Sequence, residues 1–246
     1  MIKTTMNNEK ITVITCTGDR FAAFNLLCKF IMRQTIKNFQ WVIVDDGKIS
    51  LQEQRFSFPS CADYIRREPQ LDDPRHTLNL NMFEAFKQFK QAEGRIVLIM
   101  EDDEYYHPQY IERMFSHLEN SDIAGSNISR YYHLPSGGWF INRNSNFCSL
   151  SQTGFKETIF PIVLEGIKSN QQYLDYYIWT NAMKVITCIF DDSKEPLSVG
   201  MKSLPGRKGI GIGHKENTYS VFDKDYSILK QWIPDNYESY LGFVGK

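Results

Sequence analysis

The segment RIVLIMEDDE, residues 95–104, decides the fold, because an apolar run leads directly into Glu101, Asp102, Asp103 and Glu104. The run predicts a buried strand whose carboxyl end carries the four acids. Open α/β sheets bind ligands at that edge. Adjacent carboxylates repel one another unless a cation is present, and hard divalent ions take oxygen ligands. The segment indicates a metal and diphosphate site, and a solvated acidic turn that caps the next helix is the alternative.

A second acidic strand end lies upstream. ITVITC (residues 11–16) and WVIVDDG (residues 41–47) each predict a buried strand, and residues 21–34 between them have the apolar spacing of an amphipathic helix. Strand, helix and strand in this order predict a parallel pair with a right-handed crossover. Asp45 and Asp46 would then lie at the same sheet edge as the four carboxylates.

The rest of the chain continues the alternation of strands and helices, which favours an α/β fold with an open sheet. A loop is expected over residues 57–74, with a short strand at ADYIRR. Beyond residue 130, short aromatic runs between Pro, Gly, Asn and Ser predict antiparallel strands and loops. The remaining expected elements are helices over residues 79–91, 107–118 and 172–183, and strands over residues 121–129 and 184–190.

Composition excludes several classes of protein. The 28 basic and 29 acidic residues leave a formal charge of -1, so there is no overall field to attract nucleic acid or membrane. Five scattered cysteines without a CxxC pair argue against a disulfide framework and a zinc site. The polar N-terminus and the lack of an apolar run of about 18 residues predict no integral membrane association and a cytoplasmic location.

Residues 199–217 combine five glycines with basic side chains, among them Lys202, Arg207 and His214. Such a loop is flexible and basic, and is suited to closing over a diphosphate. The segment lacks GxxxxGK[ST] and does not open a helix after a strand, which excludes a P-loop.

ITVITCTGDR, WVIVDDG and RIVLIMEDDEYYHPQYIERM together resemble the opening of inverting GT-A glycosyltransferases of family 2, in register over about residues 10–120. The resemblance implies a GT-A fold, that is, a Rossmann-like mixed sheet flanked by helices, in one domain spanning residues 1–246. Its parts would be a nucleotide-sugar half (10–125), an acceptor half with the basic loop (126–217) and a C-terminal extension (218–246). It also implies a UDP-sugar donor, of a glucose-like sugar, and Mn²⁺ or Mg²⁺.

Site residues follow from the same resemblance. Glu101-Asp102-Asp103 would be the D-x-D equivalent, with Asp103 and His214 as metal ligands. Asp175 would be the general base that deprotonates the acceptor hydroxyl; the alternative is an exposed polar residue on an aromatic helix. The implied donor-binding residues are Thr15, Cys16, Thr17, Arg20, Asp45, Arg75, Asn79, Glu101, Asp102, Lys202 and Arg207.

The acceptor and the oligomeric state stay open, since a glycan, a protein, a lipid-linked saccharide or modified DNA each offers a hydroxyl. The aromatic block YYHLPSGGWF with SLSQTGF is similar to small bacteriophage GT-A proteins that modify DNA bases, which would act in the host cytoplasm. A nucleotidyltransferase is an alternative, but residues 15–18 lack its glycine-rich loop. A non-catalytic carbohydrate- or nucleic-acid-binding module is another, and it would leave the acidic strand ends unexplained.

Overall fold

The computed structural model describes residues 10–88 and 95–244. Its strands, in chain order, are β1 (Lys10–Thr17), β2 (Gln40–Asp45), β3 (Ala62–Arg66), β4 (Arg95–Ile99), β5 (Glu104–Tyr106), β6 (Ile123–Ser126), β7 (Ile128–His133), β8 (Gly138–Arg143), β9 (Thr153–Lys156), β10 (Thr187–Phe190) and β11 (Ser198–Lys202). Its α-helices are α1 (Phe21–Met32), α2 (Leu78–Lys87), α3 (Tyr110–Leu118), α4 (Phe160–Lys168), α5 (Leu174–Asn181), α6 (Ser227–Trp232) and α7 (Glu238–Leu241). Part of the helix expected over residues 79–91 lies outside the described residues.

The main sheet has the strand order β10-β6-β9-β4-β1-β2-β3. Strands β4, β1, β2 and β3 are mutually parallel, and β9 is antiparallel to both of its neighbours. In this register Thr17 is beside Asp45, and Ile14 is beside Ile99. The predicted parallel arrangement is therefore confirmed, and both acidic strand ends lie at the same edge of the sheet.

Side chains that alternate along the strands of the main sheet pack into two apolar cores, one on each face of the sheet. Ile11 and Val13 of β1 pack on one face with α1, α3 and the C-terminal helices. Ile14 of the same strand packs on the other face with α2, α4 and α5. This period of two is what a central strand requires when both faces of its sheet are covered.

A second sheet, β5-β11-β7-β8, lies at the acidic end of β4. The helix expected over residues 107–118 begins only at Tyr110, because β5 occupies Glu104–Tyr106 and pairs with β11. The strand expected over residues 121–129 is two strands, because the chain leaves the main sheet after Ser126 and enters the second sheet at Ile128. Four residues thus connect the end of β4 to the second sheet.

Two further expectations are corrected. Helix α4 falls where only strands and loops were expected; Phe160, Val163 and Ile167 are buried at helical spacing, and Pro161 lies in the first turn, where proline is tolerated. The segment expected to be a flexible basic loop from residue 199 begins with β11, whose residues are all buried. The loop proper starts at Ser203.

The C-terminal residues pack back on the domain. Trp232 of α6 meets Trp139 edge-on, with ring centroids 5.5 Å apart. Asp235 accepts hydrogen bonds from Arg33 Nη1 at 2.6 Å and Tyr105 Oη at 2.8 Å. Among the described residues, no helix combines the length and apolarity needed to cross a bilayer.

Candidate active site

A cleft opens at the carboxyl edge of the main sheet. The loop after β1 supplies Thr17 and Arg20 to its wall, and the acidic segment after β4 forms its floor. The start of α5 contributes Asp175 at one side, and the glycine-rich loop of residues 203–214 covers another. The topology therefore gathers segments that are far apart in sequence at the edge where parallel sheets bind ligands.

Asp102 is held by the loop after β1. Its carboxylate accepts a hydrogen bond from Thr17 Oγ1 at 2.7 Å and another from Arg20 Nη1 at 2.7 Å. The same guanidinium nitrogen lies 3.6 Å from Asp103 Oδ2. Thr17, Arg20 and Asp102, which the family resemblance assigned to the donor, thus form one polar network, and its side chains are mostly buried.

Asp103 stands at the centre of the charges. Lys202 Nζ, at the end of β11, lies 3.3 Å from Asp103 Oδ2 and 2.6 Å from Glu104 Oε1. His214 Nε2 lies 3.1 Å from the same Asp103 oxygen. Burial alone would raise the pKa of Asp103, but Lys202 and Arg20 together hold it well below its usual range. Asp103 is therefore ionised, while burial lowers the pKa of His214 and keeps its imidazole neutral.

The acidic cluster fits a divalent cation. Carboxylate oxygens of Glu101, Asp103 and Glu104 all lie within 4.8 Å of one another. Four carboxylates (residues 101–104) against the cations of Arg20 and Lys202 leave two negative charges, which one divalent ion would neutralise. Burial raises the pKa of Glu101 to about 8 and that of Glu104 to about 7. Without an ion, the nearby cations are too few to keep all four carboxylates ionised at neutral pH.

His214 lies beside the carboxylate cluster, with its Nε2 3.1 Å from Asp103 Oδ2. Its side chain is buried, and its Nδ1 has no hydrogen-bond partner among the described residues. A neutral imidazole beside carboxylates suits Mn²⁺ better than Mg²⁺, which prefers oxygen alone. Asp103, Glu101 and His214 are the residues of this cleft that could hold such an ion, together with Glu104, which the sequence did not single out as a ligand.

The two acids at the end of β2, Asp45 and Asp46, have different hydrogen-bond partners. Asp45 accepts hydrogen bonds from the backbone of Gly47 and Leu51 and from Tyr64 Oη, so its carboxylate is occupied by its own loop, away from the cleft. Asp46 instead binds Arg207, which lines the cleft, and Arg67 at 2.7 Å. Neither acid lines the cleft itself, but Asp46, unlike the expected Asp45, is linked to it through Arg207.

The expected donor-binding residues at the end of β1 also differ in whether they reach the cleft. Thr15 is buried in the core, where its hydroxyl donates to the Met100 carbonyl at 2.8 Å and accepts from Trp41 Nε1 at 3.0 Å. Cys16 lines the cleft, and burial raises the pKa of its thiol well above its ordinary value. Of these three expected donor-binding residues, Cys16 and Thr17 line the cleft and Thr15 does not.

The candidate residues before and within the first turn of α2 also differ in whether they reach the cleft. Arg75 is exposed and lines the cleft, so it can reach a phosphate. Asn79 is buried, and its amide donates to Gln171 O at 2.9 Å and to Asn170 Oδ1 at 3.2 Å, outside the cleft lining. Asn81, which the sequence did not single out, lines the cleft and accepts from Arg67 Nε at 2.6 Å.

Asp175 lies in the first turn of α5 and lines the cleft. Its Oδ1 accepts a hydrogen bond from the backbone N–H of Tyr176 at 2.9 Å, and burial raises the pKa of the carboxyl. A carboxylate whose pKa is shifted towards neutrality is better suited to take a proton from a hydroxyl group. The cleft thus holds a cation-suited cluster and a separate carboxylate.

Several residues of the site carried no usable signal in the sequence. Arg67 and Asn81 look like ordinary surface residues in the chain. Arg67 meets Asp46 because β3 pairs with β2, and Asn81 of α2 accepts a hydrogen bond from Arg67. Glu104 was visible as part of the acidic run, but its pairing with Lys202 depends on the antiparallel register of β5 and β11.

Solved structures with the same architecture are nucleotide-diphospho-sugar transferases of the GT-A fold. The S. aureus TarS 1-349 complex with UDP is 14% identical, with a TM-score of 0.56 over 77% of this chain and 60% of that chain. The Pyrobaculum calidifontis mannosyltransferase PcManGT, solved with GDP-Man and Mn²⁺, is also 14% identical, with a TM-score of 0.52 over 76% and 56%. At this identity the likeness shows the fold, and the fold of this chain is GT-A.

The profile of Glycosyl transferase family 2 matches residues 12–177, more than half of the chain. The chain belongs to that family, which favours the predicted glycosyltransferase over the nucleotidyltransferase and the non-catalytic binding module. The Bacillus subtilis (strain 168) "Uncharacterized glycosyltransferase YwdF" is 24% identical over 117 residues, which are 48% of this chain and 41% of that protein. The chain thus spans less than half the length of this relative.

Proposed function

We propose that the protein is a metal-dependent, inverting glycosyltransferase that moves a glucose-like sugar from a UDP-sugar to an acceptor hydroxyl. One observation carries the proposal: a single cleft combines a buried acidic cluster that lacks two positive charges with a separate carboxylate, Asp175. UDP is favoured because TarS was solved with UDP and with UDP-GlcNAc. Mn²⁺ is favoured by the imidazole in the donor set and by the PcManGT complex.

In this mechanism Asp103 and His214 would hold the cation, with Glu101 and Glu104 beside them. When bound, the ion would stabilise negative charge on the leaving diphosphate. Arg207 and Arg75 are cationic groups at the cleft that can bind phosphate oxygens by charge-assisted hydrogen bonds. Asp102, fixed by Thr17 and Arg20, is the group that would meet the ribose. Lys202 is assigned to the neutralisation of Asp103 and Glu104 rather than to direct contact with the donor.

Asp175 acts at the acceptor side. Its carboxylate removes the proton of the acceptor hydroxyl while the oxygen attacks the anomeric carbon from the face opposite the leaving diphosphate, which inverts the configuration. The acceptor classes left open by the sequence, namely glycan, lipid-linked saccharide, protein and hydroxymethylated DNA, all supply such a hydroxyl.

Calorimetric titration with UDP, in Mn²⁺ and then in EDTA, tests the donor half. We expect binding in Mn²⁺ that weakens at least tenfold, or about 1.4 kcal/mol, in EDTA and in Asp103→Ala. Asp175→Asn should bind UDP like the wild type, because it removes only the base. Glu119→Ala, an exposed acid outside the cleft, is the control. UDP affinity that is equal in Mn²⁺, in EDTA and in Asp103→Ala would contradict metal-dependent donor binding.

A further inference from the structure

Two exposed tyrosines flank Asp175 in the sequence: Tyr173 at the N-cap of α5, and Tyr176 in its first turn. Tyr173 and Tyr176 are each 56% exposed, a large fraction for an aromatic residue. Tyr173 lines the cleft, and the ring of Tyr176 is held edge-on by Phe147, with centroids 5.6 Å apart. The candidate base thus has one exposed tyrosine at the cleft and a second one next to it in the sequence.

The charge around this surface selects among acceptors. Residues 160–181 contain two carboxylates, Glu165 and Asp175, and one cation, Lys168, so the surface is slightly negative. A DNA duplex needs lysines and arginines for its phosphates, and this helix pair supplies only Lys168. Arg75 and Arg207, which line the same cleft, are assigned to the donor phosphates. A pyranose ring is uncharged and has a face of C–H groups that can stack on a tyrosine, while its hydroxyls remain free for hydrogen bonds.

We propose that Tyr173 and Tyr176 form the acceptor subsite and that the acceptor is an uncharged pyranose unit of a glycan. This proposal rests on the proposed function, since it places the attacking hydroxyl at Asp175. Stacking fixes the plane of the sugar ring, and Asp175 lies between the two tyrosines in the sequence. Nucleic acid and protein acceptors become outcomes of the test.

The test is saturation-transfer NMR on protein loaded with UDP and Mn²⁺. The probes are methyl glycosides of glucose, galactose, mannose and N-acetylglucosamine, and a short DNA duplex that contains hydroxymethylcytosine. We expect at least one glycoside to bind, with affinity at least fivefold lower in Tyr173→Ala and in Tyr176→Ala, and retained in Tyr173→Phe. UDP affinity should be unchanged in both alanine variants.

Each other outcome counts against the subsite. Absence of glycoside binding by protein that binds UDP, binding of the duplex instead, or glycoside binding that neither alanine variant weakens would overturn the proposal and leave the proposed donor chemistry intact. Failure of the wild type to bind UDP would overturn the proposed function itself.

A separate observation concerns two asparagines of α2. Asn79 and Asn81 are both buried, but they bind opposite sides of the site. Asn81 holds Arg67, which binds Asp46 on the donor side. Asn79 holds the turn of residues 170–171, where Asn170 adopts a left-handed φ of 52°. The next residues of that turn, residues 172–175, line the cleft and include Asp175.

From these contacts we infer that Asn79 is a positioning residue for the acceptor side rather than a donor contact. Its amide donates two hydrogen bonds that fix the entry into α5, and no other side-chain donor is recorded for Gln171 O within the described residues. Loss of these bonds would free the turn and loosen Asp175 without removing any group that faces the nucleotide.

Hydrogen exchange and UDP calorimetry on matched variants separate the two roles. We expect Asn79→Ala, and the nearly isosteric Asn79→Asp, to raise amide exchange at least tenfold over residues 170–176 with UDP affinity unchanged. Asn81→Ala should lower UDP affinity at least threefold and leave that exchange unchanged. If Asn79→Asp is folded and weakens UDP binding while residues 170–176 stay protected, Asn79 is a donor contact and the inference is wrong.

Discussion

Asp45 and Asp46 are neighbours in the chain and yet belong to different parts of the molecule. Asp45 is 1% exposed and accepts from two backbone N–H groups of the following loop and from Tyr64 of β3. Asp46 binds two arginines, one of them from a loop more than 150 residues away in sequence. The sequence indicated that an acid would lie here, but alternation along a strand end does not say which of two adjacent acids turns towards the cleft.

Substituting each of these acids with asparagine should therefore have different effects. Asp45→Asn leaves buried donors poorly matched and should cost about 1–3 kcal/mol in the free energy of unfolding, with little effect on UDP affinity. Asp46→Asn should lower UDP affinity more than it lowers stability, because it releases Arg207 and Arg67. Urea unfolding and calorimetry on both variants measure the contrast, and equal profiles would contradict it.

The acidic cluster should also make stability depend on pH in a direction set by the raised pKa values. Glu101 titrates near 8 and Glu104 near 7 in the folded chain, against 4.5 for an ordinary glutamate. At these two glutamates the native state binds more protons than the unfolded state between pH 4.5 and 8, so their contribution to stability falls as pH rises. The histidines, whose pKa values are lowered by burial, act in the opposite direction below about pH 6.5. Melting temperatures in EDTA should therefore decline between pH 6.5 and 8, and Mn²⁺ should remove most of the decline. A flat or rising profile in EDTA would contradict the assignment.

At the scale of elements, the glycine-rich loop of residues 203–214 is held in place by specific contacts of Gly206 and Arg207. Arg207 binds Asp46, and its backbone carbonyl accepts from Arg20 Nε at 2.5 Å. Gly206 has a φ of +118° and packs against the backbone of Asp19. A side chain at Gly206 would be strained and would collide with that backbone, whereas one at Gly211 would meet nothing within 4 Å.

Gly206→Ala should consequently loosen the loop, and Gly211→Ala should not. Trypsin cleavage after Arg207 and Lys208 reports the opening of the loop. We expect cleavage of Gly206→Ala to be several times faster than that of the wild type, and cleavage of Gly211→Ala to match the wild type. Equal rates for the two variants would mean that the loop is not held at Gly206.

The elements themselves were predictable to different degrees. Strands β1, β2 and β4 are long apolar runs that end in acids or turn residues, so both their position and their shared edge could be read from the sequence. Strand β5 has three residues, and β11 contains Gly200 and Lys202, so neither has a strand-like pattern. The ion pair of Lys202 with Asp103 joins residues 99 positions apart and depends on those two strands. Local periodicity carries no information about it.

For the whole molecule, the C-terminal segment closes one core. Leu229, Trp232 and Tyr240 are buried in the same cluster as α1 and β5. Arg33 stacks over the rings of Phe30 and Tyr105, with its guanidinium carbon 4.9 Å and 5.3 Å from the ring centroids, and binds Asp235. No described residue of this segment lines the cleft, so its packing contributes to stability rather than to the site.

Trp232→Ala should therefore destabilise the protein by about 3–5 kcal/mol, as large-to-small changes in a core do. UDP affinity of the folded variant should match the wild type, because Trp232 does not line the cleft. Urea unfolding followed by calorimetry measures both quantities, with exposed Lys230→Ala as the control in the same helix. A loss of less than 1 kcal/mol would show that the segment is only loosely docked.

The four residues between β4 and β5 join the two sheets, and they include three of the four carboxylates of the cleft. An ion held by Glu101, Asp103 and His214 would cross-link the end of the main sheet to the loop that follows the second sheet. Metal binding would then increase the stability of the folded chain as well as support the reaction. Without the ion the two sheets are joined by the chain at residues 100–103 and at residue 127, and by the apolar core to which both contribute; the ion would add one more cross-link at the acidic edge.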